Sequence, residues 1–284
     1  MMEAIVSFAQ HRQDIILFHA LKDVNAQDVF WIDVGANDPV LISVSLLFYM
    51  RGGHGINIEP QKELYQARYE KLRKKDVTLF VGIGEEKGEV TLHGSGDTAT
   101  MTSDGGFSGK SYKVPVVTLD EIFAKYVNAT QEVHFLKIDV EGFEVECIRG
   151  LDVNRYRPWI ICVECIDGDN YEEYDAKIIG SGYTFVYYDG QNRYYVLNDK
   201  SDVIERFNEM DQLDELYEVI SAEDATRYLS YEQSTSWKIT APLRKVVNLF
   251  NRLRRVCGGV ILYNNLRIRH LEYYSHPKIF LKPA

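Results

Sequence analysis

The chain has 284 residues, of which 45% are hydrophobic and 26% are charged. This composition is typical of a folded globular protein and excludes a disordered or fibrous chain. The formal net charge is −10, but residues 238–284 hold ten Lys or Arg and one acid, which leaves −19 on residues 1–237. An acidic body repels phosphates, so we expect no nucleic-acid partner.

The hydropathy pattern predicts the cellular compartment of the protein. No apolar run approaches the roughly 20 residues of a membrane-spanning helix, and the first residues show no signal-peptide cleavage pattern. We therefore expect a cytoplasmic protein.

Cys162 and Cys165 are spaced C-x-x-C, but on a strand they would point to opposite faces, so we expect core cysteines rather than a metal site.

Apolar periodicity predicts an alternation of strands and helices along the chain. In chain order the predicted elements are a helix at 14–24, a strand at 28–36, a helix at 43–53, a strand at 54–60, a helix at 62–75, a strand at 77–84, a hairpin partner at 88–94, a segment at 113–119 leading into a helix at 120–127, a strand at 133–140, a helix at 141–150, a strand at 159–165 and a hairpin at 183–197. The Gly, Ser and Thr-rich residues 95–111 predict a mobile loop.

This alternation predicts a doubly wound α/β fold with a mostly parallel sheet, because strands buried on both faces are near-continuous apolar runs. The terminal hairpin predicts a reversed, antiparallel edge strand. We divide the chain into the α/β domain at 1–200, an acidic linker or helical segment at 201–237, and a basic helical extension at 238–284.

Polar groups follow five of the predicted strands at their carboxyl ends. They are residues 33–37, Glu59, residues 82–84, Asp139 with Glu141, and Glu164. Ligands of open α/β sheets bind at this edge, where strand order reverses. The convergence predicts a binding site there.

Glu59 lies 24 residues after Gly35 in the sequence. An acid at this spacing, at the end of the second strand, typically binds the hydroxyls of a ribose. The segment DVGAND at 33–38 lacks the complete glycine pattern that seats a pyrophosphate. The pattern therefore favours S-adenosylmethionine over a dinucleotide.

Five blocks of the sequence together resemble the FkbM family of S-adenosylmethionine-dependent methyltransferases, and the resemblance covers roughly residues 6–197. The blocks read FAQHRQDIILFHAL, FWIDVGANDPV, RGGHGINIEP, VGIGEEKGEVTLH and LKIDVEGFEVECIRG. The resemblance implies the Rossmann-like class I methyltransferase fold. The cofactor-binding residues it implies are Asp33, Gly35, Ala36 and Asn37 around the methionine part, Glu59 with adjoining Pro60 at the ribose, Gly82 and Ile83 beside the adenine, and Gln10 and Asp14 from the N-terminal block.

Methyl transfer to a hydroxyl needs alignment and a group that takes the proton. Asp139 is the best-placed base, with Glu141 and Glu164 as its nearest partners. These carboxylates either raise a neighbour's pKa or hold a divalent ion such as Mg²⁺, with Asp139 and Glu164 as the ligands, and the sequence leaves both open. We interpret Lys137 as a buried charge partner of Asp139.

The histidines divide into two groups by position. His93 and His11 are minor catalytic candidates, because one borders the predicted mobile loop and the other adjoins Gln10. His54 and His134 precede strands, at the opposite edge of the sheet, where we expect packing or surface roles.

The extension at 238–284 predicts a helix with an apolar stripe beside basic side chains, starting near Thr240 and Pro242. This pattern fits a helix on anionic lipid, on the acidic body of the protein or on a second copy of the chain. The segment SWKITAPLRK resembles one at the ends of bacterial surface-polysaccharide enzymes, which favours a glycan acceptor. A helix on anionic lipid would place the protein at the inner face of the membrane.

We therefore expect an O-methyltransferase that acts on a sugar hydroxyl of a bacterial surface glycan or its precursor. Two alternatives stay open. One is a small-molecule, polyketide-type O-methyltransferase, and the other is a non-catalytic nucleoside-binding module of a glycan-assembly complex.

Overall fold

The structure is a computed structural model that describes residues 3–93, 111–166 and 171–221. The predicted mobile loop, apart from its last residue, and the whole basic extension lie outside the described residues. The chain forms two compact units, residues 7–216 and residues 1–6 with 217–284. The predicted boundaries at residues 200 and 237 stay predictions.

The larger unit contains a seven-stranded, mostly parallel sheet. Its strands are β2 (Phe30–Val34), β3 (His54–Ile58), β4 (Val77–Leu79), β8 (Phe135–Ile138), β9 (Ile160–Glu164), β10 (Tyr183–Tyr188) and β11 (Asn192–Leu197), in the order β10-β11-β9-β8-β2-β3-β4. Strands β4, β3, β2, β8 and β9 are joined by parallel pairing. The predicted α/β fold is confirmed.

The antiparallel strand of the terminal hairpin is β11, which pairs in opposite direction with both β9 and β10. We predicted this strand at the edge of the sheet, and that position is wrong because β10 forms the edge. The reason is burial: Tyr194, Tyr195 and Val196 are fully covered, whereas Phe185 and Tyr188 of β10 are partly exposed. An interior strand is covered by helices on both faces of the sheet, which suits the apolar side chains of β11.

A second sheet has three strands in the order β5-β7-β6. They are β5 (Gly82–Ile83), β6 (Gly88–His93) and β7 (Ser111–Val117), with β6 antiparallel to β7. The single strand predicted at 77–84 is thus two strands. The chain leaves the main sheet after Leu79, and Gly82 pairs with Val116 instead.

Helices cover both faces of the main sheet. They are α1 (Gln13–Ala20), α2 (Leu46–Met50), α3 (Lys62–Leu72), α4 (Leu119–Tyr126), α5 (Glu144–Arg149), α6 (Tyr171–Gly180), α7 (Ser201–Phe207) and α8 (Leu213–Leu216), with a 3-10 turn at Met210–Gln212. Ile32 packs in the cluster that contains Ile122 of α4, while Trp31 stacks on Phe135 and contacts Phe48 of α2. Each such buried side chain contributes about 1.5–3 kcal/mol.

The smaller unit contributes a two-stranded sheet of β1 (Glu3–Ser7) and β12 (Tyr217–Ser221). Among the residues that the structure describes, none of the helices combines the length and apolarity needed to span a membrane. Cys147, Cys162 and Cys165 are buried, as predicted, and Cys257 lies outside the described residues.

The two histidines predicted at the far edge of the sheet have structural contacts. The His134 ring accepts a hydrogen bond from the Phe30 amide (3.1 Å) and packs on Trp159, and burial lowers the pKa of His134. His54 begins β3 and meets the Phe30 ring edge to face.

Candidate active site

An open cleft lies at the carboxyl ends of β2, β3, β8 and β9. The space within it is about 890 Å³, part of which is open solvent. The cleft is lined by Gln10, Gln13, Val34, Gly35, Asn37, Ile42, Val44, Ile58, Glu59, Pro60, Gln61, Val81, Gly82, Ile83, Leu92, Lys137, Asp139, Val140, Glu141 and Glu164. Polar side chains from four neighbouring strand ends therefore share one cavity.

Gly35 ends β2 where the chain turns into the cleft. Its φ is +75°, and a Cβ added there would lie 1.6 Å from the carbonyl oxygen of Asp139. The Gly35 and Ala36 amides both donate to the carbonyl of Ile58 (3.0 Å each). The turn therefore requires glycine for two reasons, its left-handed backbone and the close approach of the segment after β8.

Glu59 follows β3 and is almost completely buried beside the cleft. One carboxylate oxygen accepts the Asn37 amide and the other accepts the Gln61 amide, both at 2.9 Å. Burial raises the pKa of Glu59, while these two amides act in the opposite direction. Each oxygen has a second lone pair, so Glu59 can fix the cleft wall and still accept a ligand hydroxyl.

Backbone strain concentrates at this cleft. Among the described residues, the non-glycine residues with positive φ are Arg12, Asn37, Ile42 and Glu141, and the last three line the cleft. Ile42 at +51° is unusual because its β-branched side chain disfavours the left-handed region. Strain of this kind costs about 1–3 kcal/mol per residue and is concentrated at functional sites.

A buried lysine connects two acids of the site. Lys137 Nζ lies 2.8 Å from Asp139 Oδ2 and 4.0 Å from Asp33 Oδ1. Burial lowers the pKa of Lys137, but the charges of Asp139 and Asp33 outweigh it, so the net shift is upward. Lys137 is therefore charged and forms an ion pair with Asp139, as expected for a buried charge partner.

Asp139, Glu141 and Glu164 form a carboxylate cluster in the cleft. One oxygen from each lies within 4.8 Å of the others. Burial first, and then the charge of Asp139 and a hydrogen bond with it, raise the pKa of Glu164 to about 9. Glu164 is therefore protonated at neutral pH, which is expected where carboxyl groups lie this close together.

Most of the predicted site residues lie in this cleft. Those that line it are Gln10, Gly35, Asn37, Glu59, Pro60, Gly82, Ile83, Asp139, Glu141 and Glu164. The lining does not include Asp14, Asp33, Ala36 or His93. The roles we predicted for both groups stay predictions.

Asp14 and Asp33, which lie outside the lining, have other contacts. The Asp14 carboxylate accepts from Ser7 Oγ and from the amides of Phe8, Ala9 and Ile15, and burial raises its pKa to about 6. Asp14 thus organises the turn that leads to Gln10. Asp33 is buried under Lys137, and burial raises its pKa.

Ala36 lies behind the turn at Gly35. Its carbonyl accepts the hydroxyl of Tyr69 (3.1 Å), and its side chain packs with Tyr65 and Tyr69. His93 ends β6 at the border of the described residues. His11, the second minor candidate, donates its amide to Gln13 Oε1 (2.9 Å), and its ring Nε2 is buried and has no hydrogen bond to any described residue.

Sequence reasoning missed several lining residues, which are Gln13, Ile42, Val44, Gln61, Val81 and Leu92. Gln13 stands in the same block as Gln10, and Gln61 follows Glu59 and Pro60, so proximity to predicted residues would have found both. Ile42, Val44 and Val81 lie in connecting segments of the structure, whereas the sequence pattern places Val44 in a predicted helix and Val81 in a predicted strand.

The strand order, the reversed β11 and a cleft at the carboxyl ends of the parallel strands define the class: a Rossmann-like methyltransferase fold. Residues 33–217 match the family model described as Methyltransferase FkbM domain. This match covers more than half of the 284 residues, so the chain belongs to the FkbM family of methyltransferases. No significant match was found among curated proteins.

Proposed function

We propose that the protein is an S-adenosylmethionine-dependent O-methyltransferase whose acceptor is a sugar hydroxyl of a bacterial surface glycan or its precursor. The observation that carries the proposal is the meeting of Glu59 with the cluster of Asp139, Glu141 and Glu164 in one cleft of a methyltransferase fold. Glu59 is suited to bind the ribose of the cofactor, and the carboxylate cluster is suited to bind the hydroxyl that accepts the methyl group.

The charges of the cleft fit a cationic cofactor. Four of its described lining residues are acids, and Lys137, the one Lys or Arg among them, is already paired with Asp139. S-adenosylmethionine, when bound, supplies a methyl group on a positively charged sulfur. Glu59 offers acceptors for ribose hydroxyls.

Asp139 is suited to orient the acceptor hydroxyl and to receive its proton. Lys137 fixes the orientation of the Asp139 carboxylate, since the two atoms are 2.8 Å apart. Glu164 is protonated at neutral pH, so Asp139 is the group of this pair that receives the proton in our proposal. A positioned base of this kind contributes about 10²–10⁴-fold to the rate.

The same cluster fits a divalent cation, because hard cations such as Mg²⁺ prefer carboxylate oxygens. Asp139 and Glu164, with Glu141, would be its ligands. Treatment with EDTA followed by dialysis separates the two roles. Activity that persists without metal supports the base, whereas activity lost and restored by magnesium assigns the carboxylates to the ion.

The exposed residues Leu41 (57%) and Ile42 (39%) favour a second acceptor class, an apolar small molecule. Ile42 lines the cleft and Leu41 adjoins it, so an apolar acceptor would find contact there. A screen with labelled S-adenosylmethionine should compare oligosaccharides with polyketide-type hydroxyl compounds. Methyl transfer to glycans alone supports our proposal, transfer to the small molecules supports the alternative, and no transfer to either with intact cofactor binding supports a non-catalytic module.

For the basic extension we propose contact with the anionic inner face of the membrane. Each Lys or Arg near such a surface contributes on the order of 1 kcal/mol. Replacing Arg252, Arg254 and Arg255 with Gln should abolish sedimentation with anionic vesicles at low salt and leave methylation of a soluble acceptor intact. A change in oligomeric state would instead assign the extension to a contact between copies of the chain.

A further inference from the structure

Arg73 is a fully buried cation that does not line the cleft. It caps the C-terminal end of α3, and its side chain is 0% exposed. Its guanidinium Nε donates to Asp76 Oδ2 (2.8 Å), and its face lies against the Tyr49 ring, 4.9 Å from the ring centre. Because these contacts hold the guanidinium in place, the groups that bind its two remaining nitrogens are held in place as well.

The two terminal nitrogens of Arg73 bind the segment 39–45. Nη1 donates to the carbonyl of Pro39 (3.1 Å) and to Ser43 Oγ (3.3 Å), and Nη2 donates to Ser45 Oγ (2.9 Å). One side chain thus holds both ends of the segment.

This segment forms part of the cleft wall. Ile42 and Val44 line the cleft, and Ile42 has a φ of +51°. Near its start the segment is fastened by Asp38, whose carboxylate accepts the amides of Val40 (2.8 Å) and Leu41 (3.0 Å). A strained backbone persists only where its surroundings over-determine it, and Arg73 supplies the contacts around Ile42.

Asp76 links Arg73 to the main sheet. Its carboxylate accepts the Gly55 amide (3.1 Å) and Asn57 Nδ2 (2.9 Å), both from β3, the strand that leads to Glu59. Arg73 therefore ties the segment 39–45 to the strand that carries the acid of the site.

We propose that Arg73 is a positioning residue for cofactor binding, which acts by fixing Ile42 and Val44 in the cleft wall. The proposal rests on the proposed function, since it takes the cleft to be the S-adenosylmethionine site. Lysine cannot replace Arg73, because one ammonium group cannot reach Pro39, Ser43, Ser45 and Asp76 together.

The test is Arg73→Lys in the full-length chain. We expect the Kd for S-adenosylmethionine, measured by calorimetry where the variant is folded, to rise tenfold or more. Hydrogen exchange should accelerate at the amides of residues 40–44. The matched control is Arg193→Lys, another guanidinium held between Tyr171 (4.2 Å) and Phe185 (4.1 Å), which should change stability but leave the Kd within twofold.

A Kd for Arg73→Lys within twofold of wild type, or an equal rise in both variants, overturns the proposal. If Arg73→Lys does not fold, Ser43→Ala with Ser45→Ala removes two of its acceptors without removing the charge and should raise the Kd severalfold. An unchanged Kd in that folded double variant also overturns the proposal. Wild-type protein that fails to bind S-adenosylmethionine refutes the proposed function instead, and the exchange rates at 40–44 then decide the role of Arg73.

Discussion

Replacing Gly35 with alanine should be among the most damaging single changes in the chain. The added Cβ would lie 1.6 Å from the Asp139 carbonyl oxygen, whereas ordinary contacts of a Cβ are 3.4–4 Å. The segment after β8 would have to move by about the missing distance, roughly 2 Å. That movement would break the hydrogen bond from the Asp139 amide to the Val34 carbonyl (3.1 Å) and displace the Asp139 carboxylate.

The expected cost has two parts. An alanine at a φ of +75° costs about 1–2 kcal/mol by itself. The overlap and the lost hydrogen bond add about 1–3 kcal/mol or more. The free energy of unfolding should therefore fall by about 2–5 kcal/mol, and the folded fraction should bind S-adenosylmethionine poorly because the turn at the cleft is altered.

Gly182→Ala separates these two parts. Gly182 has a similar φ of +86°, but a Cβ there would meet only Arg157 at 3.7 Å. Urea unfolding of both variants should show a loss of about 1–2 kcal/mol for Gly182→Ala and a clearly larger loss for Gly35→Ala. Equal losses, or unaltered cofactor binding by Gly35→Ala, would refute the argument from close approach.

Three further changes test the site. Glu59→Gln can accept only one of the two amides of Asn37 and Gln61, so calorimetry should show cofactor binding weakened by about 1–3 kcal/mol; unchanged affinity in a folded variant would remove Glu59 from the site. Because burial and Asp139 raise the pKa of Glu164 to about 9, Glu164→Gln resembles the form present at neutral pH. Its turnover at neutral pH should stay near wild type and the transition of the pH–rate profile near pH 9 should vanish, whereas a loss of about 100-fold would show that ionised Glu164 acts as a base or metal ligand. Burial raises the pKa of Asp14 from 3.8 to about 6, so the stability linked to its protonated form is complete below 3.8 and is lost as the pH rises through about 6. Asp14→Asn should remove that dependence from urea midpoints measured between about pH 4 and pH 7, and midpoints that vary as in wild type would mean that Asp14 keeps its ordinary pKa.

The main sheet was predictable because its strands are apolar on both faces. Ile32, Ile56, Leu136 and Ile161 are fully buried, and each lies in a near-continuous run of apolar residues that is visible in the sequence. The end of each such strand also predicts where its polar residues meet, and Glu59, Asp139 and Glu164 share one cleft for that reason. The place of β11 was not predictable from a hairpin pattern alone, because a hairpin strand can lie at the edge or inside.

Contacts made at long sequence separation limited the prediction of the site. Asp33 occupies a strand position whose side chain faces Lys137, 104 residues away, so the residue letters do not show that it lies behind the cleft. Ile42 and Val44 reach the cleft because Arg73 holds their segment from a helix 30 residues further along. No local propensity encodes either relationship.

The strained residues and the buried polar groups of this protein form one system. Asn37, Ile42 and Glu141 each have an unfavourable backbone at the cleft. Two of them are countered by identifiable contacts, since Glu59 accepts the Asn37 amide and Arg73 binds the residues on either side of Ile42. A substitution at Glu59 or Arg73 therefore removes a hydrogen bond and also releases strained backbone. The released backbone will relax away from the cleft, so cofactor affinity should fall further than the stability of the rest of the fold.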